Sequence, residues 1–293
     1  MENEKNRVLP STLYLVATPI GNLADISERA RKVLTQVDFV AAEDTRNSLK
    51  LLTCYGIRQE LVSYHEHNKH QSGERILARL LAGESCALIT DAGMPAISDP
   101  GEDIVVRCAE AGVRVSVVPG ACAAVSALSL SALPTRTFVF EGFLSAKASE
   151  RRARLAALCR EERTLIFYEA PHKLRATLAD LCEAFGSTRR IALVRELTKL
   201  NEQVQRTTLS EAVRYYEQTE PRGEYVLVLA GADPCEEVTD GTAQLTSLPL
   251  PEHLRHYETQ GMKRMDAIKA VARDRGVAKS EIYRLVCEIK DGE

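Results

Sequence analysis

With 293 residues, 45% of them apolar, the chain is long enough for two domains with buried cores. No run reaches the ~18 apolar residues of a membrane span. The eight cysteines include no CxxC pair, and several sit inside apolar runs, so they read as buried thiols and not as a disulfide framework or zinc site. A net charge of −3 does not announce a polyanionic partner, but residues 131–231 and 252–290 are each net +3, so nucleic-acid contact would need local basic surfaces.

Residues 1–10 read as a flexible tail without a leader pattern. Residues 11–133 then alternate strand and helix. Apolar, β-branched runs predict strands at 13–17, 39–42, 61–64, 87–90 and 113–118. Helical periodicity predicts helices at 28–36, 45–53, 72–82, 102–111 and 121–131. Such alternation implies a mainly parallel sheet covered on both faces. Leu133-Pro134-Thr135 breaks the pattern, and a second α/β lobe follows over 134–231. Its strands are predicted at 138–140, 164–168, 191–195 and 225–229, with helices at 149–159, 172–184 and 209–217. The stretch 201–210 adds a strand or hairpin, which makes this sheet mixed. Residues 232–250 have no apolar period and read as a linker. Residues 251–293 form a helical unit, with helices at 252–260, 264–274 and 279–289. Within it AIKAVARDRGVAKSEIYRLV (267–286) has the cadence of a helix-turn-helix, with Lys279 and Arg284 as candidate RNA contacts.

Five segments follow the strands of the first lobe, on the rim where open α/β sheets bind ligands. In TPIGNLADIS (18–27), Pro19 and Gly21 force a tight turn, and Asn22 is a candidate cap or RNA contact. AAEDTRNS (41–48) brings Glu43, Asp44 and Arg46 to the rim. Asp44 is either a catalytic carboxylate or a helix cap, and Glu43–Arg46 either a site pair or a local ion pair. SYHEHNKH (63–70), read as extended, sets His65 and His67 on one side and Glu66 on the other. These residues suit a phosphate and a hydroxyl better than a metal, and no metal is expected. TDAGMPAISDPG (90–101) holds two glycines and two prolines within nine residues, a rigid turn suited to gripping a ligand by main-chain groups. VVPGACAAVSAL (117–128) repeats the device with small residues opening a helix. Neither GxGxxG nor a P-loop is present, which argues against the common nucleotide folds. In the second lobe, EAPHKL (169–174) and VRELTK (194–199) put further charges at strand ends, where Glu196 and Lys199 pair either with each other or with a ligand. Lys147, Arg151, Arg152 and Arg154 read as a phosphate-binding run beside the cleft, or as a solvated helix face.

Together with LPTRTFVFEGFL, TLIFYEAPHKL, ALVRELTKLNE and GEYVLVLAG, these segments run in unbroken order from Leu13 to Gly231. They resemble the tetrapyrrole methylase superfamily and, within it, the ribosomal RNA small subunit methyltransferase I family. Met94, Ala96 and Thr207 depart from that branch's usual residues. The resemblance implies two α/β lobes with a cofactor cleft between them, plus the small C-terminal helical unit. It implies S-adenosylmethionine as cofactor, held by Asp91, Gly93, Met94, Ala96, Ile97, Ser98, Gly120, Ala121, Ala123, Tyr168, Leu197, Gly223 and Tyr225. It further implies 2′-O-methylation of a cytidine ribose in 16S rRNA of the small ribosomal subunit, a homodimer and a cytoplasmic, membrane-free location. Asp44, His65 and Glu66 are the candidates for helping the hydroxyl lose its proton. Asn22, Arg46 and His67 are candidate RNA contacts beside the basic run. The competing readings are a methylase of a small tetrapyrrole and a ribosome-binding factor without catalysis.

Overall fold

In the first lobe the strands are β1 (Thr12–Val16), β2 (Phe39–Ala42), β3 (Leu61–Ser63), β4 (Cys86–Ile89) and β5 (Arg114–Val118). They pair in parallel in the order β3-β2-β4-β1-β5. β2 (FVAA) and β4 (CALI) are buried along their whole length, as interior strands of a parallel sheet covered by helices must be. Side chains alternate between two cores. Val16, Val40 and Ile89 meet Val33 and Leu34 of α1 (Glu28–Gln36) on one face. Leu13, Phe39 and Leu88 meet Ile76 and Leu80 of α3 (Lys69–Leu81) and Ile104 of α4 (Gly101–Glu110) on the other. α2 (Thr45–Cys54) connects β2 to β3. These are the results of a computed structural model that describes residues 7–233, 248–259 and 262–290.

The second lobe is a mixed sheet of β6 (Phe138–Phe143), β7 (Thr164–Glu169), β8 (Arg190–Arg195), β9 (Gln203–Thr208) and β10 (Tyr225–Leu229), in the order β6-β7-β10-β8-β9. Only β6–β7 is parallel; the other three pairs are antiparallel. The ambiguous 201–210 stretch supplies β9, a half-exposed edge strand (QVQRTT) whose polar residues suit an edge. One face packs on α6 (Ala148–Leu158), α7 (Pro171–Phe185) and α8 (Leu209–Gln218). The other face is covered from the first lobe: Ala124, Ala127 and Leu128 of α5 (Ala123–Leu130) share a core with Ile166, Val194, Val226 and Val228. The helix after β5 therefore joins the lobes and fixes the cleft between them.

These lobes form one compact unit, Met1–Gly231, and Ala232–Glu293 form a second. Val8 packs on the first core and the Leu9 amide donates to Tyr14 Oη at 2.8 Å, so the predicted tail is ordered before residue 11; residues 1–6 lie outside the described residues. The second unit contains α9 (Leu250–Thr259), α10 (Arg264–Asp274) and α11 (Lys279–Lys290) around Leu254, Ile268, Val271 and Ile282. A four-residue turn with Gly276 at φ 64° joins α10 to α11. Buried His253 faces Asp274 at 3.2 Å and accepts from Arg275 Nε at 3.2 Å; burial holds it below the ordinary histidine value. Most of the predicted linker, residues 234–247, lies outside the described residues, as do 260–261 at the end of α9 and 291–293. Among the described residues no helix is long and apolar enough to cross a membrane.

Candidate active site

A cleft of about 880 Å³ lies within the first unit, between the carboxyl ends of the parallel strands and the face of the mixed sheet. Its first wall is the loop after β4. Asp99 Oδ1 accepts from the Ala96 amide at 3.0 Å and the Gly101 amide at 2.7 Å, clamping the loop from within. Ala96 and Ser98 are both left-handed, at φ 64°. That conformation costs non-glycine residues about 1 kcal/mol or more each, so the clamp holds strain. Asp99 Oδ2 is buried with no partner, an acceptor left over on the cleft wall. Gly93, at φ 86°, pairs with Thr18 through two main-chain bonds and ties this loop to the turn after β1.

The opposite wall carries the same signature. Glu196 (φ 52°) and Thr198 (φ 67°) are left-handed in the loop after β8. Lys199 bonds Glu196 at 2.9 Å and Glu224 at 2.8 Å, so the sequence alternative in which Glu196 and Lys199 pair with each other is the one found. The Lys199 stem packs against Gly21 of the first lobe, where no side chain would fit. Tyr168 Oη accepts from the Ala124 amide at 3.1 Å, a second link between lobes, and burial pushes its hydroxyl up to about 12. A bulge between Phe140 and Gly142 turns Phe143 onto the wall beside Tyr168, ring centroids 5.4 Å apart.

Of the residues expected from the sequence, Gly93, Met94, Ile97, Ser98, Ala123, Tyr168, Leu197, Tyr225 and Glu66 line this cleft. Five cofactor candidates stand off the wall. Asp91 is exposed and accepts from Asn47 Nδ2 at 3.2 Å, and Ala96 is turned into the loop clamp. Ala121 backs Gly93 with its carbonyl. A side chain on Gly120 would sit 2.8 Å from Ala17 Cβ, and one on Gly223 would strike the Glu196 side chain at 2.5–2.6 Å. Close chain packing therefore restricts both positions to glycine.

The catalytic candidates also need correction. Asp44 caps α2 by accepting from the Arg46 amide at 2.8 Å and binds the Arg46 side chain at 3.1 Å, off the cleft wall. Its neighbour Glu43 is the one that lines the cleft. Residues 65–68 are a turn, not an extended segment: Asn68 Oδ1 accepts from the His65 amide at 2.8 Å and its Nδ2 donates to the Ser63 carbonyl at 3.2 Å. The His65 ring lies edge-on to exposed His67, centroids 6.0 Å apart, and is not on the wall; its Nδ1 is buried without a partner. Glu66 is bound to Lys69 at 2.6 Å.

The basic run is corrected most firmly at Arg151. It is 8% exposed and binds Asp180 at 2.6 Å, so it cannot face RNA. Arg152 also reaches Asp180, Arg154 pairs with Glu141, and Lys147 with Glu150, although these three stay exposed. Asn22 caps a short 3-10 turn by accepting from Ala24, and Arg46, Lys279 and Arg284 are exposed.

On the wall, Thr90, Asp99 and Glu169 lie in segments read as rim turns without having been singled out, and Phe143 was not placed there. A signal existed for Asp99: an Asp two residues before the first helical glycine suits a side-chain-to-amide turn. Glu169 is 4% exposed; its oxygens accept from the Thr177 hydroxyl at 2.5 Å and the Ala170 amide at 2.9 Å. The acidic residues of the wall are Glu43, Glu66, Asp99, Glu102, Glu169 and Glu224, against one basic residue, Lys199. A cleft so composed attracts cations and repels phosphates. Among the described residues no three His, Cys, Asp or Glu side chains converge as metal ligands.

The sequence and the two-lobed fold are matched by known proteins. The tetrapyrrole (corrin/porphyrin) methylase family matches residues 12–213. The solved uroporphyrin-III C-methyltransferase of Thermus thermophilus, complexed with S-adenosylhomocysteine, has the same fold: TM-score 0.54 at 19% identity, over 75% of this chain and 97% of that one. A ribosomal RNA small subunit methyltransferase I from Synechocystis sp. is 45% identical over 95% of this chain and 98% of its own length. One from Pseudomonas aeruginosa is 51% identical over 75% of this chain and 79% of its own length. The chain belongs to the tetrapyrrole methylase family and, within it, to the ribosomal RNA small subunit methyltransferase I family.

Proposed function

We propose that this protein transfers a methyl group from S-adenosylmethionine to the 2′-oxygen of a cytidine ribose in 16S rRNA of the small ribosomal subunit. The observation that carries the reading is the cleft: strained in the loops of both walls and lined by six acidic residues against one lysine. A sulfonium and an amino group suit that field, while the phosphates of RNA stay outside it. The free Asp99 Oδ2 is an acceptor for a donor on the cofactor. Gly93, Met94, Ile97, Ser98, Ala123, Tyr168, Leu197 and Tyr225 would hold the cofactor. When bound, it supplies a methyl group already activated by positive sulfur. The chain's share is then alignment, exclusion of water by Ile97, Phe143 and Tyr168, and removal of a proton.

RNA docking falls to residues that remain exposed: Asn22, Arg46, His67, Lys147, Arg152 and Arg154 beside the cleft, and Lys279 and Arg284 on the helical unit. We assign the protein a cytoplasmic setting with the ribosome and a homodimeric state. Light scattering is expected to give twice 32.4 kDa at micromolar concentration, and the single mass would count against a dimer.

The direct test offers labelled S-adenosylmethionine with 30S particles, free 16S rRNA and a tetrapyrrole precursor in parallel. Label in RNA is expected; label in the tetrapyrrole alone overturns the reading. A companion test uses Gly93→Val. Its left-handed φ and the Ile20 side chain, 3.2 Å from any added Cβ, leave no room for valine. Calorimetry with S-adenosylhomocysteine is expected to give no measurable binding in a variant that still shows native circular dichroism. Wild-type affinity would move the cofactor elsewhere.

A further inference from the structure

The carboxylates of the cleft are separated by their partners. Glu66 is bonded to Lys69 and Glu224 to Lys199. Both oxygens of Glu169 are engaged, and Asp99 clamps its own loop. Glu102 lies in the first turn of α4, whose positive end balances its charge. Glu43 differs from all of these. It stands at the carboxyl end of β2 and opens into the cleft, and among the described residues no cation pairs with it. Thr90 Oγ1 donates to its Oε2 at 3.2 Å, which fixes the carboxylate and leaves Oε1 to a ligand. The titratable groups facing it are Asp91 and Asp99 after β4 and His65 after β3.

Resting on the function proposed above, we infer that Glu43 is the general base, taking the proton of the attacking ribose 2′-hydroxyl at Oε1. A lone pair of the 2′-oxygen forms the new bond to the methyl carbon. The O–H pair stays on oxygen and the proton passes to the carboxylate. The pair of the broken methyl–sulfur bond returns to sulfur, which becomes neutral. One negative and one positive charge disappear together, so no net charge is created in the cleft. Because Glu43 opens to the cleft, its proton can leave to solvent after release of product. Partial burial, with the charges of Asp91 and Asp99, holds the Glu43 carboxyl above the ordinary carboxylate value despite the Thr90 bond. A stronger base is better matched to proton transfer near neutral pH. Asp44, although adjacent in sequence, is unsuited to the role because it caps α2 and is paired with Arg46.

Single-turnover methylation by wild type, Glu43→Gln and Glu43→Asp tests this. Glu43→Gln is expected to slow transfer at saturating RNA by about 100-fold or more, with S-adenosylhomocysteine and RNA affinities within threefold of wild type by calorimetry and filter binding. The wild-type rate should fall as pH drops through the raised value of Glu43, because the protonated carboxyl cannot accept. That limb should vanish in Glu43→Gln, and Glu43→Asp should retain it at a reduced rate. A Glu43→Gln rate within threefold of wild type with the acid limb intact overturns the assignment. So does a loss that appears in the two affinities instead. If the wild type methylates no ribose hydroxyl, the function itself fails, and that is seen without any variant.

Discussion

Asp99→Ala is expected to weaken cofactor binding by about 30- to 100-fold while the fold survives. Two amides, Ala96 and Gly101, lose the acceptor that holds them at 3.0 and 2.7 Å. Each unmet bond costs about 1–3 kcal/mol where water cannot replace it, and part of that loss relaxes as the loop moves. The left-handed Ala96 and Ser98 then revert to commoner conformations and the binding wall is lost. Some 2–3 kcal/mol of lost preorganisation corresponds to the stated range. Asp99→Asn separates two causes. Its amide oxygen keeps both clamp bonds, so near-wild-type affinity assigns the effect to the clamp. Equal weakening in Asp99→Asn assigns it to the free Oδ2 accepting from the ligand. Unchanged affinity in Asp99→Ala would show that the loop does not hold the cofactor.

Arg151→Ala is expected to give the largest loss of stability. Arg151 and Asp180 are 9% and 5% exposed at their side chains and 2.6 Å apart. Removing the arginine leaves a buried carboxylate with only the outer Arg152, at a cost of about 3 kcal/mol. For a unit of this size that lowers the melting temperature by about 6–12 °C. Arg152→Ala should cost much less, because its side chain is 62% exposed. The double change Arg151→Ala, Asp180→Ala should recover part of the loss, since no uncompensated charge stays inside. Burial alone would raise the Asp180 carboxyl, but the bonds from Arg152 and Arg151 outweigh it and hold it below the ordinary value. A lowered carboxyl stabilises the fold above the unfolded value of about 3.9, and that contribution is lost as the pH falls through the lower folded one. The acid sensitivity of Arg151→Ala should therefore be smaller than that of the wild type. If Arg151→Ala instead melts like the wild type but binds RNA poorly, the arginine is a surface contact after all.

Most strands were legible because they are short apolar runs with β-branched residues, whereas β9 (QVQRTT) is polar and stayed ambiguous. The cleft was legible because five such strands each end in an unusual turn. What failed to show was whatever depends on direction or on partners far apart in the chain. Glu43 and Asp44 are adjacent at the end of β2, and only the path of the backbone into α2 decides that Asp44 caps the helix while Glu43 faces the cleft. Arg151 looked like one of four surface cations because its partner, Asp180, lies on another helix 29 residues on. Gly120 has the composition of a ligand turn, yet Ala17 of the strand beside it is what excludes a side chain. SYHEHN alternates like a strand, but Asn68 folds it into a turn through two side-chain bonds to the backbone. The covering of the second sheet by α5 has no sequence signature, since small residues in a helix allow close packing on either lobe.

Mass spectrometry of nuclease-digested 16S rRNA, after incubation of small ribosomal subunits with the purified protein and S-adenosylmethionine, tests the account most directly. The expected product is one new 2′-O-methylcytidine, absent when the protein is omitted. A methyl group on the base, or none on the RNA while a tetrapyrrole precursor is methylated, would contradict it.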